Sequence, residues 1–84
     1  MPELARFYGI SIKMFFRNSE HNPPHIHAQY NSHIAIINIE TLKVIEGKLP
    51  KKALELVIEW VTINQSNLLK IWNTQHFIKI QPLD

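Results

Sequence analysis

Apolar residues in the first half of the chain follow patterns that predict a β-sheet. Between Gly9 and Phe16, apolar and polar residues alternate with the period of two that is typical of a strand. Two apolar-rich runs follow, from His25 to Tyr30 and from His33 to Ile39, and a fourth short strand is predicted from Lys43 to Gly47. We therefore expect a four-stranded antiparallel meander.

The two residues between the second and third predicted strands, Asn31 and Ser32, suit a tight hairpin. A two-residue loop determines which residues of the two strands lie opposite each other. Opposed residues project to the same face of the sheet, so the register also predicts which side chains share a face. The face that we expect to be core carries three pairs: Tyr30 with His33, Ala28 with Ala35 and Ile26 with Ile37. The opposite face carries three mixed pairs: His25 with Asn38, His27 with Ile36 and Gln29 with Ile34.

The hydrophobic period changes from two to 3.6 at Lys51, which predicts an amphipathic helix preceded by Pro50. Asn64, Gln65 and Ser66 interrupt the stripe, so a second short helix capped by Ser66 is predicted from Asn67 to about Asn73. The region from His76 to Asp84 is predicted to be a last strand or an extended tail. The predicted fold class is α+β, a small antiparallel sheet of about four strands packed against one long and one short C-terminal helix.

Composition places the chain among small globular domains. Its 84 residues suit a single domain, residues 1–84, and 45% hydrophobic residues are enough to build a core. The absence of Cys excludes disulfides, Cys-type zinc sites and thiol chemistry. No stretch approaches the roughly 20 apolar residues of a membrane span, and no secretory run opens the chain, so a soluble, cytoplasmic protein without a membrane partner is expected. The formal charge of +2 is compatible with phosphate-bearing partners.

Histidine clustering is the feature that points to chemistry. His21, His25 and His27 lie within seven residues, and the last two share one face of a strand because side chains alternate along it. Imidazoles transfer protons near neutral pH, and Lys13 and Arg17 on the outward side of the first strand supply cations for a phosphate. These are the parts that a metal-independent ribonuclease uses, which makes the three histidines candidate catalytic groups and the two cations candidate nucleic-acid contacts.

The same spacing leaves two other interpretations open. His21, His25 and His27 could instead bind a divalent metal ion such as zinc, with water in the open position, since residues two apart on a strand converge on one ion. The third interpretation is structural, with His21 bracing the proline loop and His25 and His27 as half-exposed strand residues bonded to Asn38, the backbone or water. No cofactor other than such a metal is predicted.

The sequence also resembles a known family along nearly its whole length. The most specific element is His21-Asn22-Pro23-Pro24-His25-Ile26-His27, and Arg6-Phe7-Tyr8-Gly9-Ile10, Glu46-Gly47-Lys48-Leu49-Pro50 and Glu59-Trp60 accompany it. With these motifs the chain resembles the bacterial domain-of-unknown-function 4160 family. The motif residues carried over by position are His21, Pro23, Pro24, His25 and His27, with Arg6, Gly9 and Trp60 as accompanying positions. The chain departs from the family pattern at Thr41-Leu42-Lys43, where a Gly-containing turn is expected.

The resemblance implies a small cytoplasmic protein of prokaryotes, encoded beside another small protein and belonging to a toxin–antitoxin-like module. It implies no particular activity. Combined with the histidines, it leads us to expect a component of such a module that acts on RNA through a His-rich strand face. The alternatives are a non-catalytic partner- or DNA-binding module, such as an antitoxin or regulator, or a small His-ligated metal-binding domain.

Association is expected because the predicted core is small and apolar residues lie on the sheet face that the helix cannot cover. Phe15, Ile34 and Ile36 are the residues in question. The expected partner is a second copy of the chain or a small protein encoded nearby.

Overall fold

The computed structural model describes residues 3–14, 23–74, 76 and 78–82. Within them the chain forms one antiparallel sheet with strand order β1-β2-β3-β4-β5, followed by one long helix. The α+β class is therefore confirmed, with five strands where four were predicted. The elements are β1 (Glu3–Phe7), β2 (Ile10–Lys13), β3 (His25–Tyr30), β4 (His33–Asn38), β5 (Val44–Gly47) and α1 (Lys51–Thr74).

The additional strand is β1, which the sequence pattern did not reveal. It pairs with β2 through a two-residue turn at Tyr8 and Gly9, both with positive φ, 49° and 79°. A turn of this kind matches the twist of the strands that it joins, and glycine adopts positive φ without steric penalty. A register shift between Glu3 and Ala5 disturbs the alternation, which explains why the strand was missed. The predicted first strand thus begins at Ile10, and its last residues, 15 and 16, lie outside the described part of the chain.

The β3–β4 hairpin confirms the predicted register pair for pair. Asn31 adopts the positive φ of 55° that the two-residue turn requires, a conformation that asparagine tolerates better than most residues. Ile26, Ala28, Ala35 and Ile37 are buried on the face that was predicted to be core. His25 and His27 are therefore on the opposite face, as predicted.

The turn between β4 and β5 is held by Asn38. Its Oδ1 accepts hydrogen bonds from the backbone N–H groups of Glu40 and Thr41, at 2.7 and 3.0 Å. Leu42 has a positive φ of 64° and donates its N–H to the Asn38 carbonyl oxygen at 2.9 Å. This left-handed residue lies where a glycine-containing turn was expected. Gly47, the last residue of β5, also has positive φ and packs so tightly on the Ile34 carbonyl that a Cβ atom would clash with it.

A single continuous helix, α1, replaces the two predicted helices, so the predicted break at Asn64 to Ser66 is wrong. The apolar stripe continues in phase through this region because Leu68, Ile71 and Trp72 are buried on the same side as Val61. Asn64 is accommodated within the helix because its Nδ2 donates to the Trp60 carbonyl oxygen at 2.9 Å. Gln65 Nε2 donates to the carbonyl oxygen of Ile39 at 2.8 Å and so joins the helix to the end of β4.

The core lies between α1 and one face of the sheet. Its largest fully buried side chains are Trp60, Leu4, Ile10, Ile12, Met14, Ile26, Ile37, Ile39 and Leu68. Residues 78–82 form no strand, and this segment runs beside β1, where the Ile80 N–H donates to the Leu4 carbonyl oxygen at 2.8 Å. Trp60 Nε1 donates to the Gln81 carbonyl oxygen at 2.9 Å, which holds the segment against the helix. The strand alternative of the prediction is thus wrong for residues 78–82.

Candidate functional site

A row of side chains crosses the face of the sheet that is opposite α1. Lys13 pairs with His27, His27 with Ile36, and Ile36 with Glu46, so four neighbouring strands each contribute one residue. Directly opposed residues of antiparallel strands project to the same side, which places the four side chains in one line. We call this row, together with the neighbouring His25, the histidine face. It consists of Lys13, His25, His27, Ile36 and Glu46.

The structure defines which strand lies beside Lys13, the residue that was predicted to contact nucleic acid. The sequence indicated an outward-facing lysine but not the strand beside it. The register places Lys13 directly opposite His27, with adjacent strands about 4.8 Å apart. The cation and the imidazole can therefore approach one phosphate group together.

His25 is oriented by two contacts. Its Nδ1 lies 2.8 Å from the carbonyl oxygen of Pro23, and because a carbonyl only accepts, Nδ1–H is the donor. The Nε2 atom is then the one that accepts or carries a second proton. The His25 ring also packs on Trp72, with 5.0 Å between the ring centroids. Asn38, which was considered as a partner for His25, instead uses its side-chain oxygen in the β4–β5 turn.

The contact between His25 and Trp72 was not predicted from the sequence. Trp72 was assigned to the core from its place on the helical stripe, and it is buried as expected. Its ring nevertheless reaches His25 from the end of α1. Such a contact depends on how far the helix extends over the sheet, which no local pattern encodes.

His27 is half-buried, and its environment favours the neutral imidazole. Burial lowers the pKa of His27 below its usual value of 6.5, and the nearby charge of His25 lowers it further, while Glu46 acts in the opposite direction. The centroids of the two imidazole rings are 5.3 Å apart. The two rings are thus close enough for a charge on His25 to disfavour protonation of His27.

Two of the five predicted site residues, His21 and Arg17, lie outside the described part of the chain. Within residues 3–14, 23–74, 76 and 78–82 no group of three His, Cys, Asp or Glu side chains is placed to hold a metal ion. The predicted metal set needs His21 as its third ligand, so the set stays a prediction. The histidine face contributes two of its three ligands, His25 and His27.

A second polar cluster lies on β1 and β2, on the same face of the sheet. The Ser11 hydroxyl donates to Glu3 Oε2 at 2.6 Å, and Arg6 Nη2 donates to the same oxygen at 2.9 Å. Lys79 Nζ lies 3.5 Å from Glu3 Oε1. The Ser11 hydrogen bond, the Arg6 hydrogen bond and charge, and Lys79 together lower the pKa of Glu3 to about 2. This cluster joins β1, β2 and the C-terminal segment, and Arg6 has a structural contact here.

Exposed apolar side chains lie at the other edge of the sheet. Ile34 and Ile45 are each 49% exposed, and Val44 is 38% exposed. Ile36 beside them is half-buried, whereas Phe15 lies outside the described residues. The predicted apolar surface is thus present at Ile34 and extends onto β5.

Taken together, these features define a small α+β domain whose helix covers one sheet face and whose other face bears paired histidines and a lysine. The chain belongs to the family described as Domain of unknown function (DUF4160), whose family model matches residues 9–73. That match contains His25, His27 and Lys13 and leaves out β1. No curated protein and no solved structure matches the chain. No helix among the described residues is long and apolar enough to cross a membrane.

Proposed function

We propose that the protein is the component of a bacterial, cytoplasmic toxin–antitoxin-like module that acts on RNA, and that the histidine face contacts the RNA. The observation that carries the proposal is the direct pairing of Lys13 with His27, with the His25 ring 5.3 Å from that of His27. A cation and two proton-transfer groups on one face of the sheet are what phosphodiester cleavage without a metal ion requires. His21 and Arg17 are assigned to the same surface from the sequence alone.

The chemistry proceeds as a transfer between neighbouring oxygens of RNA. Neutral His27 accepts the proton of a ribose 2′-hydroxyl, and the 2′-oxygen forms a bond to phosphorus. The bond from phosphorus to the 5′-oxygen breaks, and that oxygen takes a proton from the His25 imidazolium. The products are a 2′,3′-cyclic phosphate and a free 5′-hydroxyl, and Lys13 neutralises the phosphate during the step. The lowered pKa of His27 supports its assignment as the base.

Expression of the protein in its native host, with and without the neighbouring gene, tests the proposal. The wild type is expected to arrest growth, and the purified protein is expected to cleave RNA to 2′,3′-cyclic phosphate ends. His25→Ala and His27→Ala should each lower cleavage by roughly 10²-fold or more, as expected for loss of a general acid or base. Lys13→Gln should weaken RNA binding and reduce its dependence on salt.

His33→Ala is the matched control, because His33 belongs to the same hairpin but occupies the opposite face. It should retain cleavage and growth arrest. Circular dichroism establishes that each variant is folded. If folded His25→Ala and His27→Ala variants cleave RNA as fast as the wild type does, the histidines have no catalytic role and the proposal is wrong.

A second candidate function is supported by the apolar edge of the sheet. Ile34, Val44 and Ile45 expose apolar surface beside the edge strand β5, which favours a non-catalytic module that binds a partner or an operator. The partner would be a second copy or the small protein encoded nearby. Harmless expression that neutralises a neighbouring toxin would support this candidate and contradict the first.

A further inference from the structure

A pocket of about 440 Å³ lies at the end of the sheet that is remote from the histidines. It is open to solvent and is lined by the β1–β2 turn, the end of β3 and the first turns of α1, through Tyr8, Tyr30, Lys52, Ala53 and Leu56. This volume falls within the range of small-molecule sites, roughly 300–1,000 Å³. The pocket is therefore large enough for a ligand with one or two rings.

The walls of the pocket are mostly apolar and carry three unpartnered polar groups. Among the described residues, the hydroxyl groups of Tyr8 and Tyr30 and the ammonium group of Lys52 make no hydrogen bond or ion pair. Ligand sites typically combine apolar walls with a few such groups, which fix the orientation of the ligand. Two phenol rings with free hydroxyls and one free cation meet that description.

The backbone at Tyr8 gives independent support. Tyr8 has a φ of 49° and its side chain is 57% exposed, so a large aromatic residue occupies a position that glycine, asparagine or aspartate fills more easily. Strained residues of this kind are concentrated at ligand sites. The Tyr8 ring packs edge-on against Phe7, with 6.3 Å between the ring centroids, and it lines the pocket.

Charge at the start of α1 indicates the class of ligand. The first turn contains Lys51 and Lys52 and no acidic residue, although the positive end of the helix dipole disfavours cations there. A bound anion would interact favourably with both Lys52 and the helix terminus. The flat tyrosine rings and apolar walls favour a planar ring system beside that anionic group.

From these observations we infer that the pocket binds a small molecule that combines a planar, largely apolar ring system with one anionic group. The ring lies between Tyr8 and Tyr30, and the anionic group contacts Lys52. This site is separate from the histidine face. Tyr30 lies on the core face of β3, five residues from His25, which is roughly 17 Å along the strand.

Two matched dyes test the inference on the full chain. 1-Anilinonaphthalene-8-sulfonate carries rings and a sulfonate, and N-phenyl-1-naphthylamine carries the same rings without the charge. The sulfonate dye is expected to bind one molecule per chain with increased fluorescence. Lys52→Gln should weaken its binding by roughly fivefold, the size expected of one exposed ion pair, and should leave binding of the neutral dye unchanged.

The control variants separate the pocket from the rest of the surface. Lys51→Gln removes the neighbouring charge outside the pocket and should leave the binding of both dyes unchanged. Ala53→Leu fills the pocket and should abolish the binding of both, and thermal melting establishes that this variant is folded. Amide shifts in NMR spectra should change around Tyr8 and Ala53 and not around His25.

Several results would overturn the inference. Equal loss of sulfonate binding in Lys51→Gln and Lys52→Gln would show a diffuse charge effect. Binding of more than one dye per chain, or retention of binding by folded Ala53→Leu, would show that the dye adheres to other apolar surface. Competition with a nucleoside monophosphate and with an aromatic carboxylate then distinguishes the two sources of such a ligand, and failure of both to displace the dye would contradict the inference.

Discussion

His25 and His27 share one face of β3 but differ in what surrounds them. His25 donates a hydrogen bond to a backbone carbonyl and packs on Trp72, whereas His27 lies between Lys13 and Ile36 in the middle of the sheet. Because of its partial burial His27 binds a proton less readily. The two rings thus have different surroundings, although both belong to one sequence motif.

The titration of His27 is the first prediction at this scale. By NMR its pKa should lie below 6.5, Glu46→Gln should lower it further, and His25→Ala should raise it, because the two variants remove the opposing charges. The unfolded state binds this proton more tightly than the folded state, so the free energy of unfolding should fall as pH decreases below about 6.5. His27→Gln should be less sensitive to pH in that range. An unshifted His27 would contradict its assignment as the base.

The second prediction concerns Glu3, whose pKa is also lowered, so its contribution to stability is likewise lost as pH falls, but in a more acidic range. Its pKa of about 2 lies below the usual 4.5, so the carboxylate stabilises the folded state above about pH 4.5 and the stabilisation is lost as pH falls through 2. Ser11→Ala removes the main cause and should lower stability at pH 7 by about 1 kcal/mol. Melting of Glu3→Gln and wild type should differ at pH 7 and converge near pH 2. A constant difference across this range would show that the charge is unimportant.

At the scale of elements, the turns and the continuity of the helix determine which strands and helices could be predicted from the sequence. The β3–β4 register was predictable because a two-residue loop and an apolar pattern point to the same pairing. β1 was not predictable because a register shift between Glu3 and Ala5 disturbs its alternation and because Tyr8, rather than a typical turn residue, takes positive φ. The helix break was predicted from local propensity, and tertiary burial of Leu68 and Trp72 overrides it.

The β4–β5 turn provides the third prediction. Asn38→Ala removes the oxygen that accepts from Glu40 and Thr41 and should destabilise the fold by about 1 kcal/mol. Asn38→Asp keeps an acceptor at the same place and should retain most of the stability, which makes it the matched control. Urea unfolding measures both variants. Equal losses in the two would indicate that packing, and not the acceptor oxygen, matters at this position.

At the scale of the whole molecule, the two faces of the sheet differ in what packs against them. α1 covers one face, and residues 78–82 run beside β1. On the other face Lys13, His25 and His27 are half-buried, with the His25 ring against Trp72, while β5 is exposed. The sequence predicted the histidine face because alternation along a strand is local. It did not predict the Trp72 contact, the place of Glu46 in the row, or the pocket at Tyr8 and Tyr30, because these depend on how distant elements dock.

The metal alternative gives the fourth prediction. Acid–base histidines need no ion, so RNA cleavage and thermal stability should be unchanged by a chelator or by added zinc. If His21, His25 and His27 are metal ligands, zinc should raise the melting temperature, and the rise should weaken below about pH 6.5, where free imidazoles protonate. A zinc-dependent rise that is lost in His25→Ala and His27→Ala but kept in His33→Ala would replace the acid–base assignment with a metal site.

The last prediction concerns association through the open edge. β5 is exposed along its whole length, and its Val44 and Ile45 carry no charge that would discourage pairing with another strand. If this edge is an interface, wild-type protein should form a dimer at high micromolar concentration or a complex with the neighbouring gene product. Ile45→Lys should weaken either assembly at least tenfold, because it places a charge in the buried apolar surface.

Ile63→Lys provides the control for this experiment, since Ile63 is 67% exposed on α1 and lies away from β5. It adds the same charge to a surface that the interface does not use and should leave the association constant unchanged. Light scattering coupled to size-exclusion chromatography measures the mass of each species. Association that both variants weaken equally would show a general effect of charge, and a wild type that stays monomeric alone and with its neighbour would leave the β5 edge without a role in assembly. The contrast between Ile45 and Ile63 thus tests whether the edge strand, rather than exposed apolar surface in general, joins this domain to its partner.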